Sequence, residues 1–278
     1  MKVRASALPK HMTEFNEPQP TPVVPSTVSD PLIAPAAPNV PAKPALIAPL
    51  WHTLLVAALI LGNSFLGSAK VGAVHGQGSR ILLYGGTFVT QLVLFIIIWF
   101  GLRSRGVRMR DLIGGRWEKV EDFLLDFGLA IGFMLVAGII LLGLRIALGT
   151  VDLHNLEKVK NDAKQMLGPI APQTYLEAGL FVLLSVCAGL FEEIIFRGYF
   201  QRQFHALSRS AAIGIIISGI IFGLAHGYQG GRMMVVIAVF GMFFGILAYV
   251  RKSLRPGMMA HAIQDSYSGI VLFFLMRH

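Results

Sequence analysis

The chain has little charge and almost no cysteine for its length. Only 14% of its 278 residues are charged and 54% are hydrophobic, a balance outside the usual range of soluble globular domains. The single cysteine, Cys187, excludes an intrachain disulfide. No series of strand-length segments alternates apolar with polar residues, so the sequence does not predict a barrel. It has instead apolar runs of about 20 residues, the length of a helix that crosses a bilayer.

Seven apolar runs predict membrane-spanning helices. They lie at about 51–67, 81–101, 123–148, 174–200, 211–228, 233–250 and 257–276. Because the hydrocarbon layer contains no water, each spanning segment must satisfy its own backbone groups, which a helix does. The predicted fold is all-α, a polytopic integral membrane helical bundle with about seven transmembrane helices over residues 50–278.

The first 49 residues differ from the rest, because they hold 11 of the 14 prolines. This composition predicts a disordered, Pro/Ala-rich tail, and the tail lacks the early apolar stretch of a secretory signal.

Arginines collect in the loops after the second, fourth and sixth runs, which all fall on one side of the membrane. The positive-inside rule makes that side cytoplasmic and places the tail there. We expect a multi-pass protein of the plasma (inner) membrane.

The net charge of +9 raises the question of nucleic acid as a partner. The basic residues are spread through loops between apolar runs, which fits attraction to anionic lipid and control of topology. We therefore expect membrane lipid and a membrane-associated peptide or protein as partners, and no nucleic acid.

Ionisable side chains occur in three of the last four runs, although each costs roughly 2.5–3.5 kcal/mol at the centre of a membrane helix. The set consists of Glu192, Glu193 and Arg197 in the fourth run, His226 after Phe222 at the end of the fifth, and His261 and Asp265 in the seventh. Such residues are functional candidates by default.

Helical spacing predicts how these groups are oriented. Glu193 and Arg197 are four residues apart, so they share a face and can pair. Glu192 is rotated about 100° from Glu193 and is free to point elsewhere. His261 and Asp265 are also four apart and can address one target together.

The depth of the groups can be counted from a turn near Ser208. Glu192 and His226 lie about 24 and 27 Å from it, hence at similar depth, whereas the same count places His261 shallower. A stripe of glycines at a spacing of four lets the fifth run approach a neighbour closely. The stripe consists of Gly219, Gly223 and Gly227.

These residue types support hydrolysis of a peptide bond without a nucleophilic side chain. A carboxylate with a nearby neutral imidazole can take a proton from water and pass it to the leaving amine. A second histidine with an acid can steady the oxyanion of the tetrahedral intermediate, or the set can hold a metal ion that activates the water.

At these residues the chain resembles the CPBP family, which comprises the type II CAAX prenyl endopeptidases and bacteriocin-processing or immunity proteins, also called Abi. The resemblance depends on three signatures in order. These are EExxxR at 192–197, FxxxH at 222–226 and Hxxx(N/D) at 261–265. Together they indicate a catalytic core at about 174–276.

The resemblance implies that Glu192 and His226 activate the water, while His261 and Asp265 support the oxyanion or a metal. Glu193, Arg197 and Phe222 would support the site. Asp265 stands where the best-known eukaryotic members have Asn, which removes an amide donor and adds a possible metal ligand. A zinc ion held by His226, His261, Glu192 and Asp265 and a glutamate-activated water without metal are both open.

The function that follows is an intramembrane endopeptidase acting on membrane-associated substrates, of which prenylated CAAX-like peptides are one class. The alternative is a membrane immunity or scaffolding protein of the same fold that does no chemistry. A transporter is a weaker alternative, because no inverted repeat of broken helices is visible in the sequence.

Overall fold

The computed structural model describes residues 45–72, 74 and 76–277, and this part of the chain is helical with no strand. The predicted polytopic helical bundle is confirmed. The predicted tail over 1–49 lies outside the described residues except for 45–49. The helices are α1 (Leu50–Gly72), α2 (Gly76–Arg103), α3 (Met109–Ile113), α4 (Val120–Ala147), α5 (Leu156–Leu167), α6 (Tyr175–Glu192), α7 (Arg202–Ser208), α8 (Ala211–Ala225), α9 (Gly231–Arg251) and α10 (Arg255–Arg277).

All seven predicted runs fall on helices, but the count of seven spanning helices is not confirmed. Five segments of the described chain are long and apolar enough to cross a membrane. These are Leu50–Gly67, Gly78–Arg103, Val120–Ala147, Tyr175–Ser208 and Gly231–Arg251. Helix α8 is apolar but has only 15 residues, which is about 22 Å and shorter than the hydrocarbon core. Helix α10 is long enough, but its first half carries His261, Gln264 and Asp265.

The fourth predicted run is a single long helix that changes its winding in the middle. Between α6 and α7 the nine residues Glu193–Gln201 form a π-helix, and all nine are buried. The whole segment Tyr175–Ser208 has 34 residues, roughly 50 Å of helix and more than a bilayer core requires. The widened turns therefore lie well inside the bundle, with helix on both sides of them.

The main core of the bundle forms around this π-helical segment. Phe196, Tyr199 and Phe200 are almost completely buried. They pack in one cluster with residues of α1, α2 and α3, including Val56, Ile60, Ile98, Leu102 and Leu112. The amino-terminal helices thus form the packing surface for the segment that carries Glu193 and Arg197.

Helices approach each other closely at glycines, as was predicted for the glycine stripe of the fifth run. A Cβ atom at Gly223 would lie 2.5 Å from the backbone oxygen of Met234, and one at Gly219 would lie 2.9 Å from that of Ala238, so α8 packs directly on the backbone of α9. A Cβ atom at Gly189 would lie 2.8 Å from the backbone of Met258, so α6 approaches α10 equally closely. These contacts bring the ends of α6, α8 and the start of α10 together.

Candidate active site

Arg197 fixes the π-helical segment from within. Its side chain is buried, and its Nη1 lies 2.9 Å from Oε1 of Glu193. Its Nη2 donates a 3.0 Å hydrogen bond to the backbone oxygen of Gly241 on α9. The guanidinium also lies against the ring of Phe222, 4.4 Å from its centroid. The predicted Glu193–Arg197 pair is therefore present and connects the segment to α8 and α9.

His261 lies between three carboxylates. Its Nδ1 is 3.2 Å from Oε1 of Glu193. On the other side of the ring, Nε2 is 3.7 Å from Oε2 of Glu192 and 3.5 Å from Oδ2 of Asp265. The imidazole is buried, and its hydrogen bond to the equally buried Glu193 is shielded from bulk water.

The structure brings His261 to the two glutamates, although counting along the helices had placed it shallower. Glu192 is the last residue of α6 and Glu193 the first of the π-helical segment. The sequence predicted that Glu192 is free to point away from Glu193, yet both lie near His261, on opposite sides of its ring. The close α6–α10 contact at Gly189 lies one turn before Glu192 and makes this possible.

Only one carboxylate oxygen of Glu192 accepts a hydrogen bond in the described part of the chain. Its Oε1 accepts a 2.9 Å hydrogen bond from Nε2 of Gln91 on α2. Its Oε2 is buried and has no hydrogen-bond partner in the described part of the chain. Sequence reasoning missed Gln91, because it belongs to no motif and lies about 100 residues before its partner.

A hydrogen bond to the backbone of its own helix fixes the tautomer of His226. Its Nδ1 lies 2.8 Å from the backbone oxygen of Phe222, and because a carbonyl only accepts, Nδ1 carries the hydrogen. In the neutral ring Nε2 then has a free lone pair and can accept a proton. The Phe222 ring lies between the two imidazoles, with centroids 4.7 Å from His226 and 5.9 Å from His261.

The turn after His226 is attached to α1. Residues Gly227–Gln229 form one 3₁₀ turn before α9. The hydroxyl of Ser64 accepts from the backbone N–H of Gly227 and donates to the backbone oxygen of Leu224. Ser64 thus satisfies both a donor and an acceptor at the carboxyl end of α8 and holds His226 in place.

A cavity of about 710 Å³ opens beside these groups. Glu192, His226, Asp265 and Tyr228 line it, while His261 is not among its lining residues. Its other walls come mainly from α1, α2, α6 and the π-helical segment and are mostly apolar. They include Ile60, Leu83, Leu94, Leu184, Ala188 and Phe196.

The described side chains do not fit a bound metal as they stand. No three His, Cys, Asp or Glu side chains in that part of the chain are grouped so that they could hold a metal ion. The Nδ1 atoms of His226 and His261 are both engaged with protein oxygens. The zinc site expected at His226, His261, Glu192 and Asp265 stays a prediction.

Comparison with known proteins places a family on the segment that carries this site. Residues 174–267 match the family described as Type II CAAX prenyl endopeptidase Rce1-like. The match contains every residue of the three signatures, and the predicted resemblance to the CPBP family is confirmed. No curated protein and no solved structure matches the chain significantly. Gln91 and Ser64, which contact the site from α2 and α1, lie outside the matched segment.

Proposed function

We propose that the protein is an intramembrane endopeptidase that hydrolyses peptide bonds of membrane-associated substrates with a water molecule activated by Glu192 and His226. One observation carries the proposal. Glu192, whose Oε2 accepts no hydrogen bond in the described part of the chain, lines the same cavity as a histidine whose Nε2 is free to accept a proton. Family membership of residues 174–267 supports the same class of reaction.

The reaction follows from these two groups. The water oxygen attacks the carbonyl carbon of the scissile peptide bond, while Glu192 or His226 takes one of its protons. The carbonyl oxygen becomes an oxyanion in the tetrahedral intermediate. The C–N bond then breaks as the captured proton is delivered to the leaving nitrogen, which gives a new carboxylate and a new amine.

The residues behind the cavity position Glu192. His261 contacts Glu192 and Asp265 through one nitrogen and Glu193 through the other. Arg197 neutralises Glu193 and fixes it to α9. In this proposal Glu193 and Arg197 hold His261, and His261 and Gln91 together orient the Glu192 carboxylate.

The cavity walls support an apolar substrate. A peptide that carries an isoprenoid chain, or a hydrophobic segment of a membrane protein, can bury its apolar part against α1, α2 and α6 while a peptide bond reaches Glu192. We propose the prenylated CAAX-like class as the first to test. We also propose that the arginine-rich loops face the cytoplasm of a cell with the protein in its plasma membrane.

Cleavage by the reconstituted protein tests the proposal. The probe is an internally quenched peptide whose fourth residue from the carboxyl end is an S-farnesyl cysteine. The same peptide without the farnesyl group is measured for comparison. Glu192→Gln and His226→Gln should each lower kcat/KM by about 10³. The matched controls are Glu121→Gln and His154→Gln, which change exposed residues of the same types and should cleave as the wild type does.

The outcomes separate the alternatives. If both site variants cleave normally, the endopeptidase proposal is wrong, and an immunity or scaffolding role becomes the better account. Equal cleavage of both peptides would exclude the farnesyl group as a determinant. The same assay after exhaustive treatment with a chelator should retain activity if Glu192 and His226 act without metal.

A further inference from the structure

The reaction proposed above needs hydrogen-bond donors for the oxyanion, and one of the two residues expected to supply them is an acid in this chain. The family resemblance assigns this role to His261 and residue 265. Asp265 is a carboxylate and, when ionised, only accepts. His261 bonds Glu193 through Nδ1, and it does not line the cavity.

Tyr228 offers a donor in the right place. It lies two residues after His226, in the 3₁₀ turn, and lines the cavity together with Glu192, His226 and Asp265. Its hydroxyl oxygen accepts a 3.0 Å hydrogen bond from Nε2 of Gln229. The hydroxyl hydrogen itself has no acceptor in the described part of the chain, so it is available to a bound substrate.

Neighbouring groups fix the position of Tyr228. Ser64 bonds the N–H of the preceding residue, Gly227, and Nε2 of Gln229 donates to the Tyr228 hydroxyl oxygen. A donor that is pre-positioned in this way stabilises developing charge without having to reorganise during the reaction.

We propose that Tyr228 is a catalytic residue whose hydroxyl donates a hydrogen bond to the oxyanion of the tetrahedral intermediate. The inference depends on the proposed endopeptidase function. It adds to the site a hydrogen-bond donor that no signature contains. The proton stays on the tyrosine throughout, so the balance of the hydrolysis is unchanged.

Tyr228→Phe removes one oxygen atom and keeps the ring. With the farnesylated peptide, we expect kcat to fall about 100-fold, as for loss of one oxyanion donor, and KM to change by less than about threefold. The matched control is Tyr267→Phe, which removes a hydroxyl from an exposed tyrosine on α10 and should leave both constants unchanged. Thermal unfolding of both variants in detergent checks that the fold is retained.

A second measurement separates a catalytic role from a structural one. A phosphinate analogue of the same peptide has the tetrahedral geometry of the intermediate. Tyr228→Phe should weaken its binding by the same factor as kcat/KM, while binding of the uncleaved peptide to Glu192→Gln protein should not depend on Tyr228.

Three outcomes would overturn the inference. The first is cleavage by Tyr228→Phe at the wild-type rate, and the second is an equal loss of affinity for the uncleaved peptide and the phosphinate. In either case the endopeptidase proposal survives and Tyr228 is not the donor. If the wild-type protein itself neither cleaves the peptide nor binds the phosphinate, the endopeptidase proposal fails, and the inference fails with it.

Discussion

Arg197 is the guanidinium that pairs with the buried Glu193 of the candidate site. Its side chain and that of Glu193 are almost completely inaccessible to solvent, so neither charge is compensated by water. The guanidinium also contacts the rings of Phe222 and Phe244, which are apolar neighbours that an ion accepts only when it is paired. Glu193 in turn holds His261. The arrangement around Glu192 is therefore only as stable as this one ion pair.

The first structural prediction concerns that pair. Arg197→Met keeps much of the side-chain volume but removes the guanidinium from the buried Glu193 carboxylate, which should lower the free energy of unfolding by about 3–5 kcal/mol. Chemical unfolding in detergent measures it. Arg116→Met removes an exposed arginine and should change stability by less than about 0.5 kcal/mol. Equal stability of the two variants would show that the pair contributes nothing.

The sequence could predict which residues of the three signatures meet, but not those that have no signature. Glu192, His226 and Asp265 line one cavity with His261 behind them, as ionisable residues in membrane helices lead one to expect. Gln91 is a polar residue in an apolar helix, and nothing local indicates that its partner lies on α6. The oxyanion role expected of His261 depends on which way its ring faces, which spacing along one helix cannot determine.

At the scale of helices, the π-helical segment is the feature that was not predicted from the sequence. Residues Glu193–Gln201 read EIIFRGYFQ, and this local sequence does not distinguish a π-helix from an α-helix. Such π-helices are rare and often occur at functional sites. Here the segment begins between the two glutamates, and for that reason a rotation of 100° per residue does not describe where they point.

Helix packing by glycine gives the next prediction. A Cβ atom at Gly223 would lie 2.5 Å from the backbone oxygen of Met234, so Gly223→Ala must push α8 away from α9 three residues before His226. We expect a loss of about 1–3 kcal/mol in stability and a fall in cleavage. The control is Gly138→Ala on α4, where an added Cβ meets no atom within 4 Å. There alanine should be neutral or slightly stabilising. A variant at Gly223 as stable and active as the control would contradict the packing argument.

Helix α5 is amphipathic and was not predicted, because the prediction of helices was made from long apolar runs. It lies in the loop predicted between the third and fourth runs, and it begins where the side chain of Asn155 accepts a 2.9 Å hydrogen bond from the N–H of Lys158. Its composition is too polar to span a bilayer, so a search for long apolar segments passes over it. A capping residue followed by charged and apolar residues at helical spacing was the signal that could have predicted it.

At the scale of the whole molecule, the segment that matches the family does not contain every residue that contacts the candidate site. Residues 174–267 carry the three signatures, but Gln91 of α2 bonds Glu192, Ser64 of α1 holds the turn after His226, and both helices form cavity walls. The amino-terminal helices, which carry no signature, therefore contact Glu192 and the turn after His226 and form a large part of the cavity wall. Differences in substrate among proteins of this kind are expected to arise there.

The central claim is that Glu192 and His226 act on one water molecule in one step. Single-turnover cleavage of the farnesylated peptide by Glu192→Gln, His226→Gln and the double variant in proteoliposomes tests it most directly. Residues that work as a unit are not additive, so the double variant should be no slower than the slower single variant. A double variant whose loss is the product of the two single losses, or a single variant that cleaves at the wild-type rate, would contradict the claim.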